Sequence, residues 1–179
     1  INPQITNLTY GSFDFSFTTP SPCSATLIIN NIIYQDISLS PTTHYYKVTN
    51  LSPKTEYKFS LVSGSSTYSW PEFSLTTASK PNSPIPLSNL AWGKIIDKSG
   101  KAISGAIVYL TLPDSQALSA FSNKDGNWNI SLASSFNEQK NDWFSPSSVV
   151  EEEIIVYSPD GQLTQITNQS DRNDPVPDI

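Results

Sequence analysis

The stretch Leu51-Ser52-Pro53-Lys54-Thr55-Glu56-Tyr57, followed by Phe59 and Leu61, decides the fold. A proline turn leads into apolar residues at every second position, the period of a strand that buries one face. Upstream, Phe13, Phe15 and Phe17 alternate with Asp14, Ser16 and Thr18, a second half-buried strand with its aromatic face inward. Pro20 and Pro22 end that run. The runs 25–29 and 32–34 flank Asn30-Asn31, a pair that tolerates the left-handed backbone of a tight hairpin. Residues 44–48 and 72–77 add further alternating runs. No stretch keeps a helical period over a useful length, so the expected class is all-β.

Working outward, residues 78–86 carry Pro81, Pro84 and Pro86, which fix φ, remove donors and stiffen the chain into an extended form. Beyond them short alternating runs resume. The expected organisation is two tandem β-sandwich domains, residues 1–79 and 87–179, held apart by a proline-rich linker at 80–86.

The first stretch resembles the tyrosine corner of fibronectin type III domains. The resemblance covers about residues 3–78 and rests on Leu51, Pro53, Thr55 and Tyr57, with Phe17 where the family often places tryptophan. It implies an immunoglobulin-like sandwich in which Tyr57 buries its ring and returns its hydroxyl to the backbone near Leu51. The family's integrin-binding tripeptide is absent. The second half looks like a carboxypeptidase regulatory-like, or transthyretin-like, sandwich. The match spans about residues 90–132: a strand ending at Asp97, a turn at Gly100, the pair Gly105-Ala106, and Asp125-Gly126 leading to Trp128. Gly100 and Gly126 are expected to take positive φ, and Gly105-Ala106 to let two sheets approach closely. Trp128, Ile130 and Leu132 should form one buried face opposite Ala106, Val108 and Leu110. A hairpin of 154–157 and 163–167 completes the sandwich. Residues 133–150, with Trp143 and Phe144, read as a polar excursion outside the core, and 168–179 as a polar tail unable to fold alone.

Composition narrows function. The 179 residues are 37% hydrophobic and 15% charged, too apolar-patterned for disorder. A net charge of −6 with one arginine, Arg172, argues against a nucleic-acid groove or a basic membrane-surface patch. One histidine and one cysteine exclude a zinc finger, a disulfide framework and a two-histidine metal site. No run approaches the ~18 apolar residues of a membrane span. No methionine occurs, and Ile1 is expected to be a processed end or a truncation boundary. The Ser-, Thr- and Asn-rich surface suits an extracellular setting.

Candidate chemistry reads blandly. His44 is read as a sandwich residue, and Cys23 as a small buried hydrophobe or the half of an intermolecular disulfide. Glu151-Glu152-Glu153 and the Asp171/Asn173/Asp174 group are read as solvated faces before Ca²⁺ ligands. Lys94 and Asn168 have the chain order of an isopeptide pair in related collagen-adhesin sandwiches, yet Lys94 reads better as a snorkelling lysine. Sequons occur at Asn7, Asn50, Asn129 and Asn168. No nucleophile is expected beside a base, so no catalytic, cofactor or metal residues are assigned and no enzyme is expected. The expected role is a structural subunit of an extracellular filament or pilus-like assembly at the cell surface. Copies of the chain would join head-to-tail by strand addition, using residues 1–10 or 174–179. Ile1, Ile5, Leu8, Trp143, Phe144, Val176 and Ile179 are the expected subunit contacts. The alternative is an accessory or adhesion module of a larger secreted protein, with glycans or proteins as partners.

Overall fold

A computed structural model describes residues 3–63, 66–145 and 148–179, with 68–73 described by their backbone. Ile1 lies outside the described residues. Among these residues there are thirteen strands and no helix, so the chain is all-β.

The first half holds β1 (Gln4–Thr6), β2 (Phe13–Thr18), β3 (Ala25–Ile29), β4 (Ile32–Tyr34), β5 (Thr43–Val48), β6 (Glu56–Ser63) and β7 (Ser66–Thr76). Two antiparallel sheets form, β1-β2-β5 and β4-β3-β6-β7. Alternation explains their packing. Phe13, Phe15 and Phe17 of β2 meet Phe59 and Leu61 of β6 and Leu27 and Ile29 of β3 in one buried cluster. Each such side chain contributes about 1.5–3 kcal/mol by leaving water. Asn30 and Asn31 sit at φ 48° and 64°, so β3 and β4 close on a two-residue turn.

The second half holds β8 (Leu90–Lys94), β9 (Ile107–Thr111), β10 (Leu118–Phe121), β11 (Asn127–Ser131), β12 (Glu151–Tyr157) and β13 (Leu163–Gln169). Its sheets are β10-β9-β12-β13 and β11-β8. Trp128, Ile130 and Leu132 are buried with Ala106, Val108 and Leu110 in a second cluster. Gly126 at φ 79° lies where a Cβ would come within 2.5 Å of the Ile95 carbonyl, so the turn requires glycine. Gly100, at φ 82°, has open space around it. Asp125 is exposed, and the turn is organised instead by Asn123 Oδ1, which accepts the Asp125 and Asn127 amides.

Four expectations change. The halves are not held apart. Ser79 and Ser83, at the start of the proline stretch, bond Lys140 and Asp142, and the outer face of β1-β2-β5 packs against β9 and β10. Gly105 makes its close approach across that boundary: a Cβ there would lie 3.2 Å from Ser40 Cβ, so the tight spot is between the halves and not between two sheets of one sandwich. Residues 133–150 are not outside the core. Phe136 is fully buried and Phe144 joins the second cluster, because a bridge between Phe136 and Trp143 folds the segment inward. The tail is seated as well. The Val176 N–H donates to the Trp92 carbonyl at 2.8 Å, the Ile179 N–H donates to the Lys94 carbonyl at 3.0 Å, and the Ile179 carbonyl accepts the Ile96 N–H at 2.9 Å. These bonds satisfy the free edge of β8 and bury Val176.

Candidate functional site

Three constellations stand out, and the largest is the seam between the halves. Asp14 and Ser16, on the polar face of β2, are 8% and 0% exposed, because β9 and β10 cover them. Asn7 staples this boundary. Its Nδ2 donates to Asp14 Oδ2 at 2.6 Å and to the Ser119 carbonyl at 2.8 Å, while its Oδ1 accepts the Ser119 amide at 3.0 Å. The carboxamide thus pairs with β10 as a peptide group would. The Tyr45 hydroxyl donates to Asp14 Oδ2 at 2.7 Å and lies 2.8 Å from Ser119 Oγ, which in turn lies 2.5 Å from Thr6 Oγ1. Ser16 meets the Tyr109 hydroxyl at 2.8 Å, and Thr43 donates to the Gly105 carbonyl at 2.6 Å. Burial pushes Asp14 up, and the bonds from Asn7 and Tyr45 and the charge of Lys47 only partly offset it. Burial, with the Asp14 charge, pushes Tyr45 well up, and Tyr109 is pushed up to about 12, chiefly by burial.

A second constellation clips the tail. Glu152 is buried, which overturns its reading as part of a solvated acidic face: strand alternation turns it inward between Glu151 and Glu153. Its two oxygens accept from Asn168 Nδ2 at 2.9 Å and Asn173 Nδ2 at 3.0 Å. The Asn173 carbonyl accepts the Trp92 amide, and the Trp92 indole N–H donates to Asp174. Asn168 thus spends its amide on Glu152, Arg172 and Asn173. Lys94 pairs its backbone with Asn127 and Ile179.

The third constellation was not legible in the sequence. Cys23 Sγ lies 3.4 Å from His44 Nε2, and His44 Nδ1 lies 2.6 Å from Asp36 Oδ2. The expectation that no nucleophile sits beside a base is therefore wrong. Cys23, Asp36 and His44 come from three separate segments, which the sandwich folds onto one spot. His44 is 1% exposed and stacks on Phe17 at 4.5 Å, while Cys23 keeps partial exposure. Burial raises Asp36, but bonds from His44, Tyr45 and Ser38 outweigh it and hold the carboxyl below its usual range. The cue that was available is the spacing of Asp36 and His44 around one loop, but an acid eight residues from a histidine is too common to signal a site.

The expected structural residues lie as follows. Tyr57 is 9% exposed, and its hydroxyl accepts the Ser52 amide at 2.8 Å, with Leu51 half-buried against the first cluster. Thr55 donates to the Pro53 carbonyl. The expected subunit contacts are largely turned inward. Leu8, Phe144 and Val176 are buried in their own halves, Ile5 packs on the first cluster, and Ile179 on the second. Trp143 packs on Tyr10 at 6.4 Å and donates to the Ser83 carbonyl. These side chains are apolar enough for a partner, but the chain's own seam and tail consume them. Of the sequons, Asn7 is spent in the seam and Asn168 on Glu152, whereas Asn50 and Asn129 are exposed. No metal-ligating cluster occurs among the described residues. Among the described residues, no helix is long and apolar enough to cross a membrane.

No family model and no curated protein matches the chain.

Proposed function

We propose that the chain is a non-enzymatic structural element of an extracellular surface assembly, built from a fibronectin type III-like and a transthyretin-like sandwich. The observation that carries this reading is the buried polar seam. Asn7, Asp14, Tyr45 and Ser119 lock both halves into one stiff body, which suits spacing or load transfer. Two antiparallel sheets with a crossover from β2 to β5, and the Tyr57 hydroxyl returned to Ser52, support the first resemblance.

Copies of the chain join at a sheet edge. Strand β1 and residues 174–179 are paired within their own chain, so the edge strand β4 takes the role first given to the termini. Ile32 and Ile33 on β4 are each 58% exposed. Sedimentation velocity tests this. The chain should associate as its concentration rises, and I32K/I33K should abolish association without changing the melt. A monomer at every concentration rejects it.

A second reading has its own support. With β1 paired to β2 and residues 176–179 paired to β8, the chain is also suited to be an accessory module of a larger secreted protein. Trp92, exposed beside Asp171 and Asp174, offers an aromatic and polar surface of the kind that holds a sugar ring. Retention on a polysaccharide resin, lost in Trp92→Ala, favours this reading.

A further inference from the structure

A thiol at the partly open end of a sandwich usually has one neighbour that matters, and Cys23 has several. Its backbone is fixed by a 3.0 Å bond from its amide to the Pro41 carbonyl. Its Sγ faces His44 Nε2 at 3.4 Å and Thr19 Oγ1 at 3.8 Å. The other imidazole nitrogen is held by Asp36, whose Oδ1 in turn accepts the Tyr45 and Ser38 amides. That bond places the proton on Nδ1 and leaves Nε2 as an acceptor aimed at the thiol. Phe17 stacks against the ring and prevents it from swinging away.

We propose that Cys23, His44 and Asp36 form a reactive thiol site that undergoes exchange with an incoming disulfide. His44 Nε2 takes the Sγ proton, and the thiolate attacks one sulfur of the disulfide. A new Sγ–S bond forms as the old S–S bond breaks, and the departing thiolate leaves with the electron pair. His44 then returns its proton to that leaving group or to water. Cys23 is oxidised to a mixed disulfide and half of the reagent is reduced, so no further oxidant is needed. Asp36 is a positioning residue that fixes the tautomer and orientation of His44. The sulfur faces His44 Nε2, from β5, and Thr19 Oγ1, just past β2, while Asp36, from the loop before β5, holds the far nitrogen of the imidazole. This inference stands apart from the structural role proposed above.

The probe is 5,5′-dithiobis(2-nitrobenzoate), followed by release of the coloured thiolate from pH 5 to 9 on the intact chain and on the same chain in urea. Cys23 is the single thiol, so every turnover reports on it. At pH 6 the folded chain should react ~10-fold or more faster than the unfolded one, the modest end of assistance by a positioned histidine. The unfolded rate should fall about tenfold per pH unit below the ordinary thiol range, and the folded rate should fall less steeply. D36N should bring the folded profile towards the unfolded one. A folded chain that reacts no faster than the unfolded one at pH 6 overturns the proposal without recourse to any variant. So does a folded D36N with the unsubstituted profile.

Discussion

Replacing Tyr45 by phenylalanine tests the seam with the least collateral change. The ring stays, with its 5.3 Å contact to Phe121, and one hydroxyl is lost. That hydroxyl donates to the Asp14 carboxylate at 2.7 Å and meets Ser119 Oγ at 2.8 Å. A hydrogen bond to a charged acceptor contributes about 1.5–3 kcal/mol. The loss also leaves Asp14 with one donor fewer in a site where burial already disfavours its charge. The expected cost is therefore about 2–3 kcal/mol at pH 7, towards the upper half of that range. Urea denaturation reads this directly. With a slope of about 2 kcal/mol/M, the midpoint should fall by roughly 1 M. The shape of the transition carries as much information as its position. If the seam couples the two clusters, the unsubstituted chain unfolds in one step, and Y45F should broaden or split that step. A Y45F cost below about 0.5 kcal/mol, the scale of an indifferent surface change, would refute the reasoning.

Two further outcomes follow from the same geometry. The carboxyls of buried Asp14 and half-buried Asp36 should pull stability in opposite directions with pH. Asp14 is raised above 3.8, so its contribution is present below that value and is lost as pH rises through the folded value; the stability of the parent relative to D14N should therefore decline as pH climbs from about 4. Asp36 is held below 3.8, so its contribution is present above that value and is lost on acidification below it, as urea melts of the parent and D36N should show. Val176→Ala should cost about 2 kcal/mol by emptying part of the second core, which thermal melting would register as a drop of roughly 4–8 °C. A shift below 1 °C would mean that the tail does not hold its place on β8.

What the sequence revealed was local. Phe13, Phe15 and Phe17 announce a strand because alternation is written residue by residue, and Asn30-Asn31 announces its turn for the same reason. The all-β class follows from such signals alone. The other face of β2 could not be read. Asp14 and Ser16 look like a solvated surface, and only the arrival of β9 and β10, about 90 residues on, makes them a buried network. Glu152 was misread in the same way: its neighbours Glu151 and Glu153 suggested a charge run, whereas strand period turns the middle one inward. The Cys23, Asp36 and His44 constellation depends on a crossover between sheets, which leaves no trace in spacing. Leu8, Trp143 and Val176 were expected to meet another copy of the chain, and instead pack within their own. What covers such side chains is a long-range property, and here it is the chain itself.

Asn7 carries a consequence of its own. Its carboxamide is the part of the seam that donates to a carboxylate and a carbonyl while accepting an amide, and no other side-chain group of that size does all three. Deamidation would exchange its NH₂ for an oxygen, converting two attractions into repulsions and setting a second negative charge against Asp14. A mass change of about one dalton, with no bond of the backbone cut, would be enough to loosen one half from the other. The joint therefore has a chemical lifetime as well as a mechanical strength.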